Sequence, residues 1–198
     1  MRRVVISEFV TLDGVFEDPG GVEGFAHGGW AVGHERGPEG DCFKLDEILE
    51  ADVLLLGRTT YEGFAEAWPS RTDEWGFADK MNGIPKYVAS TTLTQADWNN
   101  STIISGDLVD EVQKIVDQGD GPLLVVGSGS IVRQLIGHDL VDEIRLMVFP
   151  TILGTGMTLF GGTEGPDGFS IRDLQQFGAT AFITLDRRGP TLTSTEAT

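Results

Sequence analysis

Apolar residues in this chain fall into short unbroken runs, and segments with helical spacing separate them. The first run, from Arg3 to Val10, is β-rich and ends in Thr11-Leu12-Asp13-Gly14, where Asp-Gly marks a turn. Asp52 to Leu56 and Tyr87-Val88-Ala89 read as further strands, followed by Leu123–Val126 and by Val141 to Phe149. Between them lie helical stretches. Phe43 to Ala51 has i, i+4 apolar spacing, and a helix carrying Tyr61, Phe64 and Trp68 is stopped by Pro69, with Thr59 or Thr60 as its cap. Leu108, Val112, Ile115 and Val116 share one face of a helix over 108–117, and Ile131 to Ile136 opens another. Phe169 to Arg172 and Thr180 to Asp186 resemble a closing antiparallel pair. Strand and helix alternate throughout, so the pattern predicts an α/β domain with a mainly parallel sheet.

Two segments break the alternation. Residues 17–41 hold Gly20-Gly21, Gly28-Gly29, Gly33, Pro38 and Gly40, too much glycine for a helix or a central strand, while Phe25, Trp30 and Val32 favour a loop that packs on something. Residues 188–198, rich in Thr, Gly and Pro, are expected to be a disordered tail behind one domain over 1–187.

Composition narrows the function. The chain has 198 residues with 31 Asp+Glu against 14 Lys+Arg, a formal net charge of -17, which argues against nucleic acid as a partner because phosphate neutralisation needs a basic surface. The single cysteine, Cys42, excludes an internal disulfide, and no Cys/His spacing suggests a metal. No apolar stretch is long enough to span a membrane and no signal peptide opens the chain, so a cytoplasmic protein is expected.

Three strand ends carry chemistry. Gly57-Arg58-Thr59, Ser90-Thr91-Thr92 and Gly127-Ser128-Gly129-Ser130 each follow a strand, and in a parallel sheet such ends converge on one edge. A glycine-rich turn leading into a helix leaves backbone N–H groups free, with the positive end of the helix dipole behind them. Together they suit a ligand with two separated phosphate groups, such as NADPH, whose 2′-phosphate wants an arginine and hydroxyls. Each piece alone also reads as an ordinary cap, turn or surface arginine. A dinucleotide fingerprint of the Rossmann type fails, since Val132 stands at the third glycine position and the next strand ends in Phe149-Pro150 instead of an acid.

These motifs resemble a known family. Thr11-Leu12-Asp13-Gly14, the run Ala51 to Glu62, Gly127-Ser128-Gly129, Leu140 to Leu146 and Pro150 to Gly156 are similar in order and spacing to the dihydrofolate reductase-like fold, which includes the RibD C-terminal reductase domain of riboflavin biosynthesis. The resemblance covers most of residues 3–187. It implies a dihydrofolate reductase-like twisted mixed sheet flanked by helices, with NADPH across the carboxyl ends of the central strands. Gly57, Arg58 and Thr59 would touch the 2′-phosphate or pyrophosphate, Ser90 and Thr91 the adenosine side, and Gly127, Ser128, Gly129, Ser130 and Ile131 the pyrophosphate. Val10, Asp13, Gly14 and Phe16 would border the nicotinamide. A homodimer is implied by the same resemblance.

The substrate side is more open. A pterin reductase wants a carboxylate near the ring, and Asp41 and Asp13 are the candidates; a helix cap and a turn residue are the equally plain alternatives. Trp30, Tyr61 and Phe64 could wall a pocket for a flat heterocycle or belong to the core. His27, His34 and His138 show no ligand spacing. The reading that joins these features is an NADPH-dependent oxidoreductase transferring hydride to a small heterocycle, dihydrofolate-like or a 5-amino-6-(5-phosphoribosylamino)uracil-like pyrimidine. A non-catalytic module that binds a nucleotide or flavin-like ligand on the same fold is the alternative.

Overall fold

The protein is described by a computed structural model covering residues 1–162 and 168–188. In chain order its elements are β1 (Val4–Thr11), α1 (Gly37–Glu50), β2 (Val53–Gly57), α2 (Arg58–Ala67), α3 (Phe77–Gly83), β3 (Lys86–Ala89) and β4 (Ser101–Ile104). They continue with α4 (Leu108–Asp117), β5 (Leu123–Val126), α5 (Gly129–Gly137), β6 (Glu143–Phe149), β7 (Phe169–Phe177) and β8 (Thr180–Arg187). The strands form one sheet in the order β4-β3-β2-β5-β1-β6-β8-β7. From β4 to β6 every pairing is parallel, and β8 and β7 close the far side as an antiparallel pair.

Continuous apolar runs become the central strands because both faces of the sheet are covered. In β2, Val53 and Leu55 join the core beneath α4 and α5, with Val112, Ile115, Val132 and Leu135. Leu54 and Leu56 point the other way, onto Ile48, Tyr61 and Met81 of the first three helices. A third apolar cluster, Trp30, Met147, Phe149 and Phe182, lies under the glycine-rich loop.

That loop is organised by one residue. Asp18, buried at a φ of +49°, accepts hydrogen bonds from the N–H groups of Val22, Glu23 and Phe25, and the Trp30 indole donates to the Glu17 carbonyl at 2.7 Å.

The structure departs from the sequence pattern at several places. Helix α1 begins at Gly37, inside the segment expected to be loop, because Pro38 is pre-organised for a first turn. Neither Thr59 nor Thr60 caps α2; Gly57 occupies the cap position and no side chain bonds the free N–H groups. Helix α3 and strand β4 have no counterpart in the apolar pattern, and β7 runs on to Phe177. Of the expected tail at 188–198, Arg188 bonds the Gly168 carbonyl and residues 189–198 lie outside the described residues.

Candidate functional site

Parallel pairing of β3 with β2, β2 with β5 and β5 with β1 places the carboxyl ends of these strands on one edge of the sheet. The turns after Gly57, Ala89 and Val126 therefore lie side by side. Close contacts join the turns that follow β1, β2 and β5. A Cβ added at Gly57 would run into Ser128, and one at Gly127 would run into Thr60, so the β2–α2 and β5–α5 turns touch. At Gly129 an added Cβ would come within 2.5 Å of the Phe16 ring, which brings the segment after β1 onto the start of α5.

Two helices start in this cluster without a side-chain cap. Helix α5 follows Gly127 at a φ of +69° and Ser128 at +64°, and Ser128 uses its carbonyl, accepting from Ile131 and Val132, while its hydroxyl faces that of Ser130 at 3.2 Å. The Ile131 amide is thus engaged and its side chain is buried in the core. The free first-turn N–H groups of α2 and α5 and the two helix dipoles make a concentrated positive end at this edge, despite the acidic surface elsewhere. Arg58, first residue of α2, is half exposed and donates to Glu62 at 2.9 Å. Thr59 and Thr91 are exposed, whereas the Ser90 hydroxyl is engaged in its own turn, accepting from the Thr92 and Leu93 amides.

The β1 side is tied differently. Val10 is buried in the core and Gly14, at a φ of +78°, accepts from Leu159. Asp13 accepts from Thr11 Oγ1 at 2.6 Å and from the amides of Leu153 and Gly154, and these bonds hold its carboxyl below the usual range. It is an ionised anchor for the segment after β6.

Sequence reasoning passed over Glu8. It stands in an otherwise apolar strand, which was the available signal, since a lone acid among Val, Ile and Phe has no ordinary core role. Its residue is 7% exposed and Oε1 has no hydrogen-bond partner among the described residues. The Gly127 amide donates to its carboxyl, and burial pushes its pKa from 4.5 up to about 8 against the pull of Lys44 and that amide, with Glu23 adding a like charge. At neutral pH it is mostly a neutral acid.

The remaining candidates lie elsewhere. Tyr61 and Phe64 pack in the cluster beneath α1–α3, where the Tyr61 hydroxyl accepts from the Trp98 amide at 3.0 Å. Trp30 belongs to the separate cluster under the glycine-rich loop, edge-on to Phe149. Asp41 is exposed in the second turn of α1 and pairs with Arg36 at 2.5 Å. A hollow of about 270 Å³ over β6 and β8 is lined by Glu47, Glu50, Arg145 and Arg172, but Arg145 already bonds Glu143 and Glu50 there. Among the described residues no cluster of His, Cys, Asp and Glu could hold a metal ion, and no helix is long and apolar enough to cross a membrane.

Known proteins share this architecture. The family model for the RibD C-terminal domain matches residues 2–183. The uncharacterized protein YyaP of Bacillus subtilis is 28% identical over 162 residues, 80% of each chain. A solved structure from Shewanella sp. PV-4, named for riboflavin biosynthesis, superposes with a TM-score of 0.74 at 20% identity, covering 94% of this chain and 99% of that one. Dihydrofolate reductase from Enterococcus faecalis, solved with NADP(H), gives a TM-score of 0.56 at 15% identity over 94% and 97% of the two chains. The last two likenesses establish the fold, a dihydrofolate reductase-like mixed sheet.

Proposed function

We propose a reductase function from one premise: the chain belongs to the RibD C-terminal domain family. It binds NADPH along the carboxyl edge of the parallel strands and reduces a small flat heterocycle of the pterin or ribosylaminopyrimidine kind. The observation that carries this reading is the pair of uncapped helix starts, α2 and α5, in contact through Gly57, Ser128, Gly127 and Thr60. That donor set fits a diphosphate, because main-chain N–H groups and dipoles bind anions without a lysine. Dihydrofolate reductase, solved with NADP(H), shares the fold and supports the choice of cofactor.

In this reading Gly127, Ser128, Gly129 and Ser130 hold the pyrophosphate. Arg58 leaves Glu62 to meet the 2′-phosphate, with Thr59 beside it, and Ser90 and Thr91 border the adenosine. Val10, Gly14 and Phe16 line the nicotinamide end, where the cofactor, when bound, supplies a hydride. Asp13 keeps that end in shape by anchoring Leu153 and Gly154, and Asp41 stays in its pair with Arg36. Trp30 and Phe64 support the walls from the core, and Tyr61 does so through Trp98. The protein works in the cytoplasm as a homodimer, and the outward-facing Ile171 and Leu174 of edge strand β7, both more than 60% exposed, support pairing there.

The test is direct. NADPH should quench tryptophan emission saturably and be consumed only when dihydrofolate or a ribosylaminopyrimidine is added. Quenching without turnover favours the binding module, and no quenching removes the proposal.

A further inference from the structure

We infer that Glu8 is the acid that protonates the substrate in this site. The inference rests on the reductase reading above, and its geometry comes from where two strands part. β1 pairs with β5 only as far as Ser7 and Val126, whereas on its other side it stays paired with β6 up to Thr11. Glu8 is therefore the first residue of β1 beyond the last β1–β5 pair. At the same point β5 turns away through Gly127 and Ser128, both with positive φ, into the uncapped start of α5. The two strands part at the carboxyl edge, and Glu8 stands at the point where they separate.

A carboxyl in such a place has to be explained. Mid-strand acids in apolar sheets are ordinarily paired with a cation, since an isolated buried carboxylate is costly. Here the donor from the protein is the Gly127 amide, and Oε1 is buried and bonds nothing among the described residues. Two charged groups act on it through space. Lys44 of α1 draws it toward ionisation and Glu23 of the glycine-rich loop opposes this, while burial outweighs both and keeps the proton on. The Lys44 ammonium is itself bound to Ser7 and Glu47, on the opposite side of β1, and so does not reach Glu8 as a partner. Asp13, by contrast, is held ionised by three donors, and Asp41 is exposed and paired. Glu8, unlike these two, is buried beside the uncapped start of α5 with an oxygen that bonds nothing among the described residues.

The chemical class of substrate follows. A neutral acid with an empty oxygen recognises a ring nitrogen that accepts a hydrogen bond, as in a C=N bond of a reduced pterin or related heterocycle. The Glu8 proton passes to that nitrogen and the adjoining carbon gains the hydride that the reduced dinucleotide supplies; one N–H and one C–H bond form, the C=N π bond is lost, and the cofactor leaves oxidised. Glu8, left as a carboxylate in a site that disfavours charge, regains its proton from water once the product departs.

Infrared difference spectra of the protein alone and kinetics with NADPH and 7,8-dihydrofolate test this together. Wild-type protein should show a protonated-carboxyl band at neutral pH that is absent from Glu8→Gln and fades as pH rises through about 8. Glu8→Gln keeps a hydrogen-bond donor but has no acid, so its turnover should fall by about 10²-fold or more while NADPH still quenches tryptophan. Wild-type turnover should decline above the same midpoint. A spectrum with Glu8 ionised at neutral pH overturns the proposal whatever the activity, and so does a Glu8→Gln protein that keeps both NADPH binding and wild-type turnover, which leaves the reductase reading standing. Failure of NADPH to bind either protein is different: it removes the reductase reading itself, and this acid with it.

Discussion

Lys86 and Glu8 are both buried ionisable residues on parallel strands of one sheet, Lys86 at the amino end of β3 and Glu8 toward the carboxyl end of β1. Lys86, 1% exposed, donates to the carbonyls of Ile84 at 2.8 Å, Asn99 at 3.0 Å and Asn82 at 3.3 Å, and lies 4.1 Å from the centre of the Trp98 ring. Its neighbours at the amino edge are tied by ion pairs and main-chain bonds, although Arg2 Nε and Ser101 Oγ are buried without a partner among the described residues. Arg2 bonds Asp52 and the Gly121 carbonyl, Arg3 bonds Glu143, and Asp142 accepts from the Val4 amide. At the carboxyl edge the unpartnered group is an acid, Glu8, with one oxygen that bonds nothing among the described residues, and beside it Ser128 adopts a φ of +64° and two helices start without a side-chain cap. The amino edge is laced by ion pairs, and the carboxyl edge leaves helix-start donors and an acid available, which is where ligands bind in open parallel sheets.

The largest expected effect lies at the amino edge. Replacing Lys86 with Ala removes the one side chain that serves three carbonyls, and urea unfolding should show a loss of about 3–5 kcal/mol. A loss under about 1 kcal/mol would mean that water serves them as well, and the contrast between the edges would weaken.

The two residues should also pull stability in opposite directions with pH. Glu8 has a folded pKa raised from 4.5 to about 8, so the native state holds more protons across that window and stability falls as pH rises through it, by about 1.4 kcal/mol per pH unit at most. Burial lowers Lys86 from 10.5 to about 8, so the native state holds fewer protons between those values, and stability rises with pH there. Denaturant melts across pH should show the acid-side limb flattened in Glu8→Gln and the alkaline limb flattened in Lys86→Met. Unchanged limbs would erase the comparison.

Gly127→Ala sharpens it further. The new Cβ meets Thr60 at a backbone φ of +69°, for a stability cost of about 1–3 kcal/mol with a matching loss of NADPH affinity in fluorescence titration. Arg58→Ala should weaken NADPH by about tenfold, near 1.4 kcal/mol, while leaving NADH almost unchanged. Equal losses for both cofactors would deny the guanidinium its 2′-phosphate role. The smallest effect is Ser128→Gly, which relieves the left-handed backbone and should raise stability by about 1 kcal/mol in thermal melts.

Much of this contrast was legible in advance, and unevenly so. The runs Val53–Leu56 and Leu123–Val126 announce central strands because a strand covered on both faces has no polar positions. The amphipathic face of α4 is plain from Val112, Ile115 and Val116, and Asp107 caps it as a helix start should be capped. β4 shows one buried residue, Ile104, and lies at the sheet's edge beside β3, so its sequence carries almost no apolar signal. Helix α3 is seven residues long and contains Asn82 and Gly83, which favour a turn when read locally. The strand-end turns at Gly57, Ser90 and Gly127 were visible as motifs, but Glu8 was visible only as one acid in a β-rich run.

Taken by itself, the order of residues determined the alternation of strand and helix, the parallel sense that follows from it, and the glycines that let turns approach closely, because periodicity and φ preference act over neighbours in the chain. Which turns touch, and which acid keeps its proton, was decided only when β1, β2 and β5 came together. Burial and hydrogen-bond partners are set by residues more than a hundred positions apart, such as Glu8 and Gly127. An acid's chemistry is a property of what surrounds it.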